Sequence, residues 1–191
     1  MSIAPAAPAA LMKTTPLRVV FDTNVLLSLW VFDKSPGGSR LAPLRRQIEA
    51  GHMLALCRED CFAEFSRVLG YPEFRLDPAR QQEILREYCA ALSWQEAPVQ
   101  PETSPTFILP RCRDRDDPKF LELARDAAAD VLTTGDKALL KLARRPVLAG
   151  RFRIITPDQL LLELPGSPAG RSPQGGATRR GGVGPDSIPG E

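Results

Sequence analysis

The sequence predicts an α/β fold, a three-layer α/β/α sandwich around a central, mostly parallel sheet. Short apolar runs rich in β-branched residues alternate with segments of helical periodicity. Many of the helical segments open on an N-cap residue or an Asp-Pro pair. Strands that alternate with helices are typical of parallel sheets covered on both faces. The length of 191 residues and the 43% hydrophobic content suit one domain with a core of its own.

The first half of the chain predicts two strands and four helices. Residues 17–21, LRVVF, fit a strand that is buried on both faces. A helix follows from Val25, and apolar residues at helical spacing between Leu41 and Gly51 predict the next one. The remaining elements of this half are a strand at 52–57, a helix at 58–70 with Asp60 as its N-cap, and a helix at 77–92 that opens on Asp77 and Pro78.

The second half begins with a proline-containing loop at 95–110, in which TFIL at 106–109 offers an additional strand. The elements predicted after it are a helix at 116–129, a strand at 130–134, a helix at 136–145, a strand at 152–156 and a closing helix at 157–164.

Both ends of the chain differ in composition from the middle. Residues 1–16 are rich in Ala and Pro, and residues 166–191 are rich in Gly, Pro, Ser and Arg, so both are predicted to be disordered around a domain at 17–165. Met12 would also make a sensible first residue. The N-terminal stretch lacks the basic start of a signal peptide, and no apolar run is long enough to span a membrane, so we expect a cytoplasmic protein that does not bind membranes.

The four cysteines contain no CxxC pair and are predicted to be reduced and structural. A zinc site from His52, Cys57 and Cys61 has unconvincing spacing and lacks a fourth ligand. His52, the only histidine, is predicted to be a structural residue at the start of an internal strand.

Acidic residues fall where several predicted strands end. Asp22 follows the first strand, Asp136 follows the strand at 130–134, and Glu64 lies about one turn into the helix after the second strand. The carboxyl ends of parallel strands share one edge of the sheet, where ligands bind. Clustered carboxylates repel one another unless a cation neutralises them, and Mg²⁺ or Mn²⁺ suits oxygen ligands. For each residue a simpler interpretation stays open: Asp22, Asp117 and Asp136 as helix N-caps, and Glu64 as a solvated helix residue.

Four sequence blocks in this order resemble the PIN-domain ribonucleases, in the bacterial branch described as toxins of toxin–antitoxin systems. The blocks are VVFDTNVLLS, REDCFAEFSRVL with Glu64, RCRDRDDPKFLELA, and VLTTGDKALLKL followed by RIITPDQLL. The resemblance covers residues 17–164. It implies an α/β/α sandwich with an acidic metal-binding pocket, and an endonuclease that leaves 5′-phosphate and 3′-hydroxyl ends on single-stranded or structured RNA.

Matching these motifs residue by residue assigns the site. The catalytic and metal-binding acids are Asp22, Glu64, Asp117 and Asp136, with Asp114 and Asp116 as substitutes or outer ligands of Mg²⁺ or Mn²⁺. Asn24 and Thr134 match supporting polar positions. The resemblance also implies a cognate antitoxin protein as partner and a homodimer.

A nuclease must hold the phosphate backbone of its substrate, and basic residues surround two of the acids. The formal net charge of +2 does not by itself indicate a polyanionic partner, so the placement of charge matters. The predicted RNA-binding residues are Lys119, Lys137, Lys141, Arg113 and Arg115. For any one of them, a solvated helix face is the alternative. Trp30 is predicted to lie in the core or at a dimer contact rather than to stack on bases.

Two other function classes compete with the ribonuclease. An aspartyl-phosphate phosphatase would use Asp22 as its nucleophile, but it expects a second acid two residues later, where Asn24 stands. A non-catalytic RNA-binding or partner-binding domain could retain the same fold.

Overall fold

The computed structural model describes residues 15–32, 40–96, 109–110 and 118–164. In these residues, five parallel strands form one sheet with the order β3-β2-β1-β4-β5. The strands are β1 (Leu17–Phe21), β2 (Met53–Cys57), β3 (Leu92–Trp94), β4 (Val131–Thr133) and β5 (Arg153–Ile155). The helices are α1 (Thr23–Trp30), α2 (Ala42–Glu49), α3 (Glu59–Leu69), α4 (Pro78–Ala91), α5 (Pro118–Asp126), α6 (Lys137–Leu142) and α7 (Pro157–Leu162). The predicted α/β class is confirmed.

The central strand β1 explains why the fold needs both helical layers. Val19, Val20 and Phe21 are all buried, although successive side chains of a strand point to opposite faces of the sheet. β1 pairs with β2 on one side and with β4 on the other. A strand in this position is covered on both faces, which is why its sequence is a continuous apolar run.

An aromatic cluster fills the core among α1, α3 and α4. Trp30 at the end of α1 is 1% exposed and meets the ring of Tyr88 edge-on, with ring centroids 4.9 Å apart. Phe65 of α3 meets the same tyrosine at 4.9 Å. Of the two positions predicted for Trp30, the core is the one the structure shows.

Local signals predicted most elements to within three residues at each end, but three features differ. β3 was not predicted, because Leu92–Trp94 continues directly from α4 and is ordered as a strand by pairing with β2. Asp60 is not the N-cap of α3: Arg58 holds that position, and Asp60 accepts a hydrogen bond from Arg58 within the first turn. His52 directly precedes the internal strand β2, which begins one residue later than predicted, and its exposed ring contacts Gln47.

The predicted disordered ends, 1–16 and 166–191, lie almost wholly outside the described residues, as does most of the TFIL segment, and those predictions stay predictions. Within the described ranges, no helix is long and apolar enough to cross a membrane.

Candidate active site

The candidate site lies where the strand order reverses. β1 is followed along the chain by β2 on one side, whereas its other neighbour is β4. Ligands of open α/β sheets bind at such a switch point, beyond the carboxyl ends of the strands. Asp22 follows β1 directly, its backbone N–H bonds to the carbonyl of Thr133 at 3.0 Å, and Asp136 follows β4. Two of the predicted acids therefore flank the switch point.

Asp22 is a buried carboxylate, 5% exposed, held by hydrogen bonds from two directions. As N-cap of α1, it accepts a long bond of 3.4 Å from the N–H of Asn24 at Oδ1. Its other oxygen, Oδ2, accepts a bond of 2.6 Å from the hydroxyl of Thr134. Such bonds offset the cost of burying the charge. The cap interpretation of Asp22 is correct, and it leaves the carboxylate facing the switch point.

Thr134 joins the two acids. It is fully buried, and its hydroxyl donates to Asp22 while accepting a 2.9 Å bond from the N–H of Asp136. One side chain thus fixes both the orientation of Asp22 and the start of α6. The supporting role of Thr134 in catalysis stays a prediction.

Asn24 differs from Thr134 in how it contributes. Its side chain is exposed, and its contact with Asp22 is made by its backbone N–H. The contact that the structure shows is thus made by the backbone, and the supporting role of Asn24 stays a prediction.

Asp136 is the N-cap of α6. Its Oδ1 accepts hydrogen bonds from the N–H groups of Ala138 and Leu139, the latter at 3.2 Å. Both bonds use the same oxygen. Oδ2 takes no part in the cap, so capping and cation binding are compatible on this side chain.

Glu64 reaches the site from α3 and is not a solvated helix residue, because its side chain is only 14% exposed. Its Oε1 accepts a 2.7 Å hydrogen bond from the hydroxyl of Thr23, the residue next to Asp22. Its Oε2 forms an ion pair with the ammonium of Lys119 at the start of α5. Glu64 is therefore tied to the end of β1 by Thr23.

Thr23 is a site residue that the sequence reasoning missed. It is 4% exposed, although it is polar and lies in the first turn of a helix. Its place between two residues already singled out, Asp22 and Asn24, was the available signal.

Lys119 was predicted to contact RNA, and that prediction is not tested by its position beside Glu64. Its side chain is 18% exposed, and its ammonium faces Glu64 rather than solvent. Lys137 and Lys141 of α6 are exposed and remain predicted RNA contacts. The other two predicted RNA-binding residues, Arg113 and Arg115, lie outside the described residues.

The third acid, Asp117, also lies outside the described residues, together with Asp114 and Asp116. What the structure does describe is the helix directly after it. α5 begins at Pro118, as the Asp-Pro signal predicted, and its second residue, Lys119, contacts Glu64. The roles of these three aspartates stay predictions.

The chemistry of the donors decides which metal would fit. In the described part of the chain, no three His, Cys, Asp or Glu side chains form a group that could hold a metal ion, so Asp22, Glu64 and Asp136 do not by themselves form a metal site. The available donors at this edge are carboxylate oxygens, which suit Mg²⁺ or Mn²⁺. The Oε2 atom of Glu64 is buried, and its counter-ion in the described structure is the ammonium of Lys119. The donor set fits a hard divalent ion.

A thiol-based zinc site is not supported. Cys57 ends β2, whereas His52 precedes it at the opposite edge of the sheet. Cys57 and Cys61 are buried, and burial raises the pKa of the Cys57 thiol to about 11 and that of Cys61 further still. Zinc binds thiolates, which these environments disfavour.

A comparison with models of known protein families finds a match. A family model described as PIN domain matches residues 18–138, a span that runs from β1 into α6 and contains Asp22, Glu64 and Asp136. No curated protein matches the chain.

Proposed function

The chain belongs to the PIN domain family, whose members are generally nucleases, and from this premise we propose that it is a metal-dependent endoribonuclease that hydrolyses RNA phosphodiester bonds. The observation that carries the proposal is the pair of threonine hydroxyls that connect three acids near the switch point: Thr134 bonds to Asp22 and Asp136, and Thr23, next to Asp22, bonds to Glu64. The family typically uses divalent metal ions, and the carboxylate donors here suit Mg²⁺ or Mn²⁺.

In this proposal, Asp22, Glu64 and Asp136 hold the cation together with Asp117, and Asp114 and Asp116 serve as outer ligands. The ion would activate water for attack on phosphorus and offset the charge that builds on the phosphate. Thr134 keeps Asp22 turned toward the site, since its hydroxyl is the donor to Oδ2. Thr23 does the same for Glu64.

The position of His52 supports acid-held metal chemistry over an imidazole-based mechanism. It is the only histidine of the chain, and it lies in the turn before β2, at the edge of the sheet opposite the acids. A general acid or base must reach the reacting group within hydrogen-bond distance. His52 cannot do so from there.

Substrate binding would use the exposed cations beside the acids. Lys137 directly follows Asp136, and Lys141 lies one turn further along α6. Both are exposed, as phosphate contacts require. Arg113 and Arg115 complete the proposed set.

We further propose that the protein is the toxin of a toxin–antitoxin system, acting in the cytoplasm as a homodimer with a cognate antitoxin as partner. The support for this role is the resemblance of the four sequence blocks to that branch of the family. Co-purification of a tagged chain with the product of a neighbouring gene, and rescue of growth by that product, would test it.

The nuclease itself is tested by incubating mixed cellular RNA and a single-stranded oligonucleotide with the purified chain in Mg²⁺, Mn²⁺ or EDTA. We expect cuts with 5′-phosphate and 3′-hydroxyl ends that require the metal. Asp22→Asn should abolish them. The matched control is Asp77→Asn, because Asp77 also caps a helix, α4, through a hydrogen bond to the N–H of Arg80, and asparagine is an equally good cap.

Cleavage that persists in EDTA, or that is equal in Asp22→Asn and wild type, would refute the proposal. RNA binding without cleavage, unchanged by EDTA, would favour the non-catalytic binding domain instead.

A further inference from the structure

We propose that Lys119 is a positioning residue that acts as the resident counter-ion of Glu64 and must leave before Glu64 can bind a divalent cation. This inference rests on the proposed metal-dependent function and deepens it, because it concerns how the same site exchanges one cation for another.

The two oxygens of Glu64 have different partners. Oε1 accepts its hydrogen bond from the neutral hydroxyl of Thr23, at 2.7 Å. Oε2, which is buried, faces the ammonium of Lys119. Because the donor at Oε1 is neutral, Oε2 could still bind a metal ion. The ammonium of Lys119 at Oε2 prevents this, since two cations at one oxygen repel each other.

The packing of α5 delivers the ammonium to this place. Lys119, Glu122 and Asp126 are three and four residues apart and therefore lie on one face of α5. The last two pair with Arg58 at the start of α3, at 3.4 and 3.3 Å. These contacts hold α5 against α3, so the backbone of Lys119 stays near Glu64, and any displacement of the ammonium must come from rotation about the bonds of its four-carbon stem.

Both partners are sheltered from water, with side chains 18% and 14% exposed. Pairing in such a place is stronger than on the open surface, because solvent screens it less. The free energy of that pair is lost when a divalent ion takes Oε2. The affinity of the metal-free protein for the ion is therefore lower than its carboxylates alone would give.

The test is a Mn²⁺ titration of the full chain without RNA, in which binding is measured by calorimetry or by the electron paramagnetic resonance signal of free Mn²⁺. Lys119→Met keeps much of the stem and removes the charge, and Lys119→Gln is a second neutral variant in case the first does not fold. We expect both to bind Mn²⁺ about tenfold more tightly than wild type, the ratio that corresponds to one charge-assisted contact. Lys119→Arg should stay within about threefold of wild type, since it keeps the charge.

The matched control is Arg86→Met. It removes one positive charge from α4, where Arg86 is exposed and donates a 3.4 Å hydrogen bond to the carbonyl of Gln82. We expect a change of less than about twofold, because an exposed charge is screened. A second readout is thermal unfolding: saturating Mn²⁺ should raise the Tm of Lys119→Met more than that of wild type.

Equal or weaker Mn²⁺ binding by both neutral variants would overturn the inference. Equal tightening in Arg86→Met would also overturn it, because the effect would then come from the net charge of the protein. If wild type cuts RNA in a metal-dependent way while Lys119→Met binds Mn²⁺ like wild type, only this inference fails. If none of the proteins binds Mn²⁺, the metal dependence in the proposed function fails with it.

Discussion

The hydroxyl of Thr134 donates a 2.6 Å hydrogen bond to Oδ2 of Asp22 in the interior of the protein, and the hydroxyl oxygen of Thr134 also accepts a hydrogen bond from the backbone N–H of Asp136. Thr134→Val removes both bonds at nearly constant volume. We expect nuclease activity to fall about tenfold to a hundredfold, because side chains that orient metal ligands have effects of this size. The free energy of unfolding should fall by about 1–3 kcal/mol, since a buried carboxylate loses a donor.

Thr134→Ser is the control for this prediction, because it retains the hydroxyl and loses only a methyl group. The activity of Thr134→Ser, measured in Mn²⁺, and its stability, measured by urea unfolding, should both be closer to those of wild type than to those of Thr134→Val. Equal activity in the valine and serine variants would show that the hydroxyl does not orient Asp22.

Asp136 both caps α6 and offers an oxygen outside the cap, and two substitutions separate these roles. Asp136→Ser keeps a capping oxygen, so stability should stay close to wild type while RNA cleavage is lost with the carboxylate. Asp136→Ala should lose cleavage and also about 1 kcal/mol of stability. Chemical unfolding measures the stability of both variants, and an RNA cleavage assay measures their activity. Full activity in Asp136→Ser would reduce this residue to a helix cap.

The parts of the fold that local sequence signals predicted are those in which one segment carries its own pattern. β1 was predicted with the bounds it has, because a β-branched run ends directly at a capping aspartate. β3 carries no such pattern: it has three residues, it continues from α4, and it exists through the pairing of Leu92 with Ala55. A strand made by a distant partner leaves little trace in its own sequence.

The same distinction holds within the site. Asp22 and Asp136 were placed correctly at the sheet edge, because each follows a predicted strand. The bond from Thr23 to Glu64 spans 41 positions and depends on how α1 packs on α3. The ion pair of Glu64 with Lys119 depends in turn on α5, which is why a residue expected to contact RNA is found against an acid.

Arg58 links α3 to α5, and its contribution to the free energy of unfolding depends on pH. Its hydrogen bonds lower the pKa of the Asp60 carboxyl, so the folded state favours the ionised form. That stabilisation is fully present above the ordinary pKa near 4 and is lost as pH falls through the lowered value. The difference in unfolding free energy between wild type and Arg58→Met should therefore be largest near pH 7 and shrink toward pH 3 in urea titrations.

Arg40→Met is the control for this pair. Arg40 also contacts a carboxylate, that of Asp158, but its side chain is 76% exposed. Removing it should change stability by less than about 0.5 kcal/mol at either pH. An Arg58 difference that grows as pH falls would contradict the assignment of the pKa shift.

The cysteines differ in burial, which predicts their reactivity. Cys89 is exposed, whereas Cys57 and Cys61 are buried and their pKa values are raised by burial, to about 11 for Cys57. The thiolate is the reactive form. In a Cys112→Ser background at pH 8, a chromogenic disulfide reagent should label one thiol per chain quickly and the other two only after unfolding. Rapid labelling of three thiols in the folded protein would contradict this arrangement.

Lys137 and Lys141 are the described cations best placed to hold the RNA backbone, because both are exposed on the helix that Asp136 caps. If each contacts one phosphate, Lys137→Ala and Lys141→Ala should each reduce the slope of log affinity against log salt concentration by about 0.7 for single-stranded RNA. Both should weaken binding to unrelated sequences equally, since phosphates carry no base identity.

Arg86→Ala is the control for this prediction, because it removes an exposed charge from α4 and should leave the slope unchanged. Measuring fluorescence anisotropy of labelled RNA at several salt concentrations, with Asp22→Asn as background so that no cleavage occurs, separates the outcomes. Equal slopes in the lysine variants and in Arg86→Ala would mean that the backbone is held elsewhere.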